Sequence, residues 1–112
     1  MSVEPVYIYK AKVVNVVDGD TIDVDLDLGF RVTTRQRVRL YGVNTPERGQ
    51  PGYQEAKNLL MALLGVEVGL QSYKPDDKYG RWLAAVYNGN TSISQLLIDK
   101  GLGVPYFGGS RA

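Results

Sequence analysis

Three short stretches carry residue types that can grip a phosphate ester. They are Asp18-Gly19-Asp20-Thr21, Arg39-Leu40-Tyr41-Gly42-Val43-Asn44-Thr45-Pro46-Glu47 and Asp77-Lys78-Tyr79-Gly80-Arg81. Together they supply carboxylates, a carbonyl-rich turn and two separated arginines, the groups that hold a hard cation and a phosphate diester side by side. Other chemistries are closed. The chain has no histidine, so it has no imidazole base, Ser-His-Asp triad or His-ligated zinc, and with no cysteine it has neither a disulfide framework nor a thiolate metal site. Hydrolysis has to run on carboxylates, arginines, tyrosines and a cation with oxygen ligands. The alternating acids from Asp18 to Asp23 do not form an EF-hand loop, which needs glycine where Asp23 stands and glutamate where Gly29 stands.

The elements that carry these residues are mostly strands. Val6 to Val17 is rich in Val, Ile and Tyr and reads as a long first strand. Asp18-Gly19 marks a turn, after which Thr21, Asp23, Asp25 and Asp27 alternate with Ile22, Val24, Leu26 and Leu28 in a half-buried second strand. Gly29 turns the chain into a third strand from about Phe30 to Val43, with Arg31, Thr33, Arg35, Arg37 and Arg39 on one face. The aspartate and arginine rows then meet across a hairpin. Asp23, Asp25, Asp27, Arg31, Arg35 and Arg37 are read as a solvated ladder of opposite charges and are left out of the site. Asp20 differs, because it falls in step with Ile22 and Val24 on the apolar face, where a carboxylate must be paired or coordinated. Arg39, by alternation, joins the exposed arginines.

Arg48-Gly49-Gln50-Pro51-Gly52 reads as a surface loop. Tyr53, Ala56, Leu60, Leu63 and Leu64 follow at helical spacing, with Gly65 placed to end the helix. Val66 to Tyr73 alternates as a fourth strand, Lys74 to Gly80 reads as a turn-rich loop, and Arg81 to Tyr87 reads as a fifth strand. Ser92 and Gln95 suggest a capping box for a second helix that carries Ile93, Leu96 and Leu97 and stops at Gly101, and Val104 to Gly109 reads as an extended tail. The expectation is a mainly β chain with α segments (α+β): a five-stranded OB-type Greek-key barrel with two helices, one domain over residues 1–112 with its core at about 6–107.

In type, order and spacing the three stretches resemble the staphylococcal nuclease-like (thermonuclease) family, over about Val13 to Gly103. The resemblance implies a calcium ion held by Asp20, a side-chain oxygen of Asn44 and the backbone carbonyl of Thr45, with waters and the substrate phosphate completing the shell. It implies that Arg39 and Arg81 neutralise the phosphate as charge builds up, and that Glu47 is the general base for the attacking water. Tyr79 then reaches the same phosphate, Lys78 a flanking one, and Tyr106 lies beside a base, while Asp18 stands behind the metal ligands. Placing Arg39 in the site requires a bend or bulge before it, taken from the resemblance and not from the pattern.

Without the resemblance these residues have plainer readings. Arg39 is a hairpin ion-pair member, Arg81 a loop-to-strand anchor, Glu47 a surface acid, and Asn44 and Asp18 turn residues. The joint match favours the site. The chain departs from the family at Asn44, where longer-known members carry aspartate, and an uncharged amide there implies weaker metal affinity. The family's third, C-terminal helix is expected to be absent, which leaves room for a homodimer through that side.

The implied activity is a divalent-cation-dependent, calcium-using nuclease acting on single-stranded or frayed DNA, and on RNA, with little sequence preference. The alternative is a catalytically silent barrel that binds nucleic acid or a protein partner. Composition fits either, with 44% hydrophobic and 22% charged residues and a net charge of +1, which is too small for a nucleic-acid packaging protein. The opening Met1-Ser2-Val3-Glu4-Pro5 lacks a basic-then-apolar leader and no window approaches a membrane span, so the expectation is a cytoplasmic protein without a membrane partner.

Overall fold

The computed structural model describes residues 8–65, 67–76 and 81–106. β1 (Ile8–Asp18) and β2 (Thr21–Asp27) form an antiparallel hairpin across Gly19-Asp20. β2 continues into β3 (Thr33–Leu40), paired antiparallel in unbroken register from Asp27 opposite Thr33 to Thr21 opposite Arg39. Strict alternation sets this register. One face sends Ile22, Val24 and Val38 into the core, and the other carries Asp23 and Asp25 opposite Arg37 and Arg35.

Relative to β2, β1 has an extra residue at two places, between Val13 and Asn15 and between Val16 and Asp18. Each bulge bends the strand and increases its twist. So coiled, β1 also pairs along its other edge with β5 (Glu67–Asp76), and β5 pairs antiparallel with β6 (Arg81–Asn88). A short parallel seam, Val38 beside Trp82, Arg39 beside Leu83 and Leu40 beside Ala84, closes β3-β2-β1-β5-β6 into a five-stranded barrel. Closure removes the open edges of those strands. β7 (Thr91–Ser92) turns back and pairs antiparallel with the end of β6.

The barrel interior and its cover form one apolar cluster, including Ala11, Ile22, Val24, Leu40, Val68, Leu70 and Val86. Helix α1 (Tyr53–Leu63) contributes buried Ala56 and Leu60, and α2 (Ile93–Asp99) contributes Ile93 and Leu97. Fully burying a leucine such as Leu60 or Leu97 stabilises the fold by about 2 kcal/mol. Ser92 accepts the Gln95 N–H at the start of α2, as the sequence suggests, and Gly101 at φ 76 ends it. Among the described residues no helix is long and apolar enough to cross a membrane.

Several expectations are corrected. The third strand begins at Thr33, because Gly29, Phe30 and Arg31 all have positive φ (79, 53 and 62) and form the hairpin turn closed by Val32 N–H to Gly29 O. It also ends early, at Leu40, and resumes as β4 (Gly42–Asn44) after a break at Tyr41, with Gly42 at φ 90. Tyr41 is fixed from two sides, its N–H donating to Ala84 O and its carbonyl accepting from Ser94 Oγ at 2.7 Å. Lys74 to Asp76 belong to β5, paired with Leu83, Trp82 and Arg81, instead of to a loop. Gly65 does not cap α1, because the chain already turns extended at Leu64. The tail is a strand, β8 (Val104–Tyr106), which pairs antiparallel with β4.

Candidate active site

Asp20 sits in the β1–β2 turn and is only 9% exposed. Its carboxylate is held on both oxygens. Oδ1 accepts from Thr21 Oγ1 at 3.2 Å, and Oδ2 accepts the Thr45 N–H at 3.1 Å and lies 3.5 Å from Arg39 Nη2. This satisfies the requirement that its sequence parity imposed, that a carboxylate turned inward be paired. The turn can approach residue 45 so closely because residue 19 is glycine. A Cβ there would lie 2.8 Å from Thr45 Oγ1 and 2.9 Å from Ala56 Cβ. Thr45 Oγ1 is itself buried and has no hydrogen-bond partner among the described residues.

Arg39 is likewise 9% exposed, against the exposure that alternation alone predicts. The reason differs from the expected bulge. The register with β2 is unbroken up to Arg39, so it remains on the same face of β3 as Arg35 and Arg37. The bend comes after it, at Tyr41-Gly42, and folds β4 and then β8 over that face. Nη1 donates to the carbonyls of Leu40 at 3.0 Å and Val43 at 2.9 Å, and Nη2 donates to Asn44 Oδ1 at 3.1 Å. The half-buried Tyr106 ring lies 5.9 Å from the guanidinium carbon, in cation–π range. Tyr106, across the β4–β8 ladder from Gly42, therefore joins Asp20, Arg39, Asn44 and Thr45 in one cluster.

The other residues singled out in the sequence divide. Asp18 Oδ1 accepts the Tyr53 hydroxyl at 2.7 Å, which ties the β1–β2 turn to the first residue of α1. Glu47 is exposed, in a loop closed by two bonds, Glu47 N–H to Gln50 Oε1 and Gln50 N–H to Glu47 O. No ion pair holds its carboxylate among the described residues. The backbone of Arg81 opens β6 opposite Asp76, two residues before Leu83, the neighbour of Arg39. Lys78 and Tyr79 lie outside the described residues.

The charge ladder behaves as read, with Asp25 gripped by Arg35 and Asp23 by Arg37, each through two hydrogen bonds. Asp27 and Arg31 fall outside it, since Asp27 Oδ1 accepts the Gly29 N–H and Arg31 lies in the turn. Tyr53 is a member of this neighbourhood that helical spacing marks only as a helix-face residue. No local signal marks it, because Asp18 is brought to it by packing.

Among the described residues no three Asp, Glu, His or Cys side chains come together as a metal cluster. Asp20, Asn44 and Thr45 offer hard oxygens, a donor set that suits calcium or magnesium and not a thiolate- or imidazole-seeking metal. A closed five-stranded barrel with two helices is an OB-type α+β fold, and here it carries a buried acid–guanidinium pair beside the β1–β2 turn. A family profile described as "Staphylococcal nuclease homologue" matches residues 37–111, and the chain belongs to that family. It is 35% identical over 99 residues to a thermonuclease of Staphylococcus hyicus, covering 81% of this chain and 56% of the relative. It is 32% identical over 109 residues to a micrococcal nuclease of Shigella flexneri, covering 88% and 59%, and 38% identical over 95 residues to a thermonuclease of Staphylococcus intermedius, covering 78% and 54%. The chain thus spans somewhat over half the length of these relatives.

Proposed function

We propose that this chain is a divalent-cation-dependent nuclease that hydrolyses phosphodiester bonds of DNA and RNA, preferring single-stranded or frayed substrate, with little sequence preference. The observation that carries this reading is the run of contacts from Asn44 to Arg39, from Arg39 to Asp20 and from Asp20 to Thr45, together with membership of a family whose named relatives are nucleases. Asp20, the Asn44 amide oxygen and the Thr45 carbonyl would hold the cation, calcium in the first instance, and waters and substrate phosphate would fill the remaining places. Bound there, the cation supplies Lewis-acid polarisation of the phosphate.

The chain's own groups do the rest. Arg39 and Arg81 bind the phosphate oxygens and offset the negative charge that grows as water adds to phosphorus. Glu47, exposed and free of ion pairs among the described residues, takes the proton from the attacking water as the P–O ester bond breaks on the opposite side. Arg39 has donors left for this, since Nη1 is occupied by two carbonyls while Nε carries no bond to the other described residues.

A second reading has its own support. Asn44 brings no charge to the cation, and the Arg39 fork is turned mainly towards protein acceptors, as suits a barrel that binds nucleic acid without cutting. Digestion of denatured DNA in calcium, in magnesium and in chelator, beside a Glu47→Gln, Arg81→Ala double variant, separates the two. Cutting in calcium that chelator and the double variant abolish supports the nuclease. Binding without cutting under any ion supports the silent barrel.

A further inference from the structure

A cation beside the site is left over by the proposed chemistry. Of Arg31, Arg35, Arg37, Arg39 and Arg48, three are committed: Arg35 and Arg37 to aspartates, and Arg39 to Asp20, Asn44 and two carbonyls. Arg31 lies in the turn at the far end of the β2–β3 hairpin, away from Thr21 and Arg39. Arg48 follows Glu47 directly, is exposed, and has no carboxylate partner among the described residues.

Arg48 is nevertheless not adrift. Its guanidinium carbon lies 6.0 Å from the centroid of the Tyr53 ring, in cation–π range. That ring is anchored in turn, with its hydroxyl donating to Asp18 Oδ1 at 2.7 Å and lying 3.4 Å from the Val17 carbonyl. The Tyr53 oxygen first, and then the charge of Asp18, hold the guanidinium above its ordinary value. A free surface arginine gives up about 1.5–2 kcal/mol of side-chain entropy when it grips a ligand. Bracing on a fixed ring removes part of that cost in advance, and it leaves the planar fork available to an oxyanion.

We propose that Arg48, braced by Tyr53, is a phosphate subsite that binds the nucleic-acid strand at a phosphodiester flanking the one to be cut. The proposal rests on the nuclease reading and adds a contact to it. Its position next to Glu47 places the cation on the rim where the strand enters or leaves, and Asp18, occupied by the Tyr53 hydroxyl, does not capture it.

The test is equilibrium binding of a fluorescein-labelled oligothymidylate, followed by anisotropy in chelator over a series of salt concentrations, so that no cutting intervenes. Each phosphate contact to a single strand contributes about 0.7 to the slope of log affinity against log salt. Arg48→Gln is expected to make the slope shallower by about 0.7, while Arg48→Lys keeps it because the charge is retained. Tyr53→Leu, which removes the brace and frees the Asp18 carboxylate to compete for Arg48, is expected to weaken the affinity and make the slope shallower, and Arg31→Gln to change neither. A wild-type slope in Arg48→Gln overturns the proposal, as does an equal drop in Arg31→Gln, which would mean a diffuse charge effect. If Arg48→Gln has the wild-type slope while the wild-type chain still cuts, only the subsite is lost. A wild-type chain that neither binds nor cuts overturns the subsite and the nuclease reading together.

Discussion

Arg39 serves two demands at once. One of its N–H donors holds the Leu40 carbonyl at the end of β3, two hold Val43 and Asn44 of β4, and Nη2 also lies 3.5 Å from Asp20 Oδ2. Glu47 differs, because among the described residues no ion pair engages its carboxylate. The two should therefore separate in urea denaturation: Arg39→Gln is expected to lower stability by about 3 kcal/mol by leaving the buried Asp20 charge without its cationic partner, whereas Glu47→Gln changes it by less than about 0.5 kcal/mol. Asn44→Asp is expected to tighten divalent-cation binding, read by calorimetry on the protein alone, by roughly tenfold, because ligand charge count sets affinity in such sites. Asp20 was legible in the sequence, since its parity with Ile22 and Val24 put an acid where an acid needs a reason. The burial of Arg39 was not. Alternation gives the face of a strand but not what later covers it, and here the cover comes from β4 and from β8 near the far end of the chain.

Turns decide how the elements meet. Gly19 lets the β1–β2 turn touch both Thr45 and α1, and a Cβ would press on Thr45 and Ala56. Gly19→Ala is expected to cost about 1–3 kcal/mol and to separate Asp20 from the Thr45 N–H, which amide exchange at residue 45 would report. The β2–β3 turn is strained in the opposite sense, with Phe30 fully exposed and both Phe30 and Arg31 at positive φ. Replacing Phe30-Arg31 by Asn-Gly is expected to raise stability by about 1–2 kcal/mol in thermal or urea unfolding. Periodicity marks β1, β2, α1 and α2 closely, and glycine marks the β1–β2 and β2–β3 turns. The run of left-handed residues after Gly29 was not, because Phe and Arg are not residues that announce positive φ. The β4–β8 ladder escaped for a related reason. Gly42-Val43-Asn44 and Val104-Pro105-Tyr106 are too short to show a period, and only the fold brings them together.

At the scale of the whole molecule, the closed barrel presents a ladder of paired charges across β2 and β3. The paired face makes the fold acid-sensitive in a defined direction. Asp23 is held below its ordinary value of 3.8 chiefly by the hydrogen bonds of Arg37, and Asp25 likewise by those of Arg35. Because the folded values lie below the unfolded ones, these pairs contribute fully above the ordinary value and the contribution is lost as pH falls through the folded values. The urea midpoint should therefore fall on acidification from about pH 5 downward, and an Asp23→Asn, Asp25→Asn variant should show a flatter decline. The barrel class was legible from the order of strands and helices. Its closure by the parallel β3–β6 seam and the placing of the site beneath β8 depend on contacts between distant segments that no local pattern carries. The most direct test of the nuclease reading is single-turnover cleavage of a labelled single strand in calcium by the wild-type chain and by Glu47→Gln, with binding measured alongside. A general base at Glu47 predicts a rate lower by about 10²–10⁴-fold in the variant with affinity changed by less than about twofold. Equal rates in the two proteins, or no cutting by the wild-type chain, would contradict it.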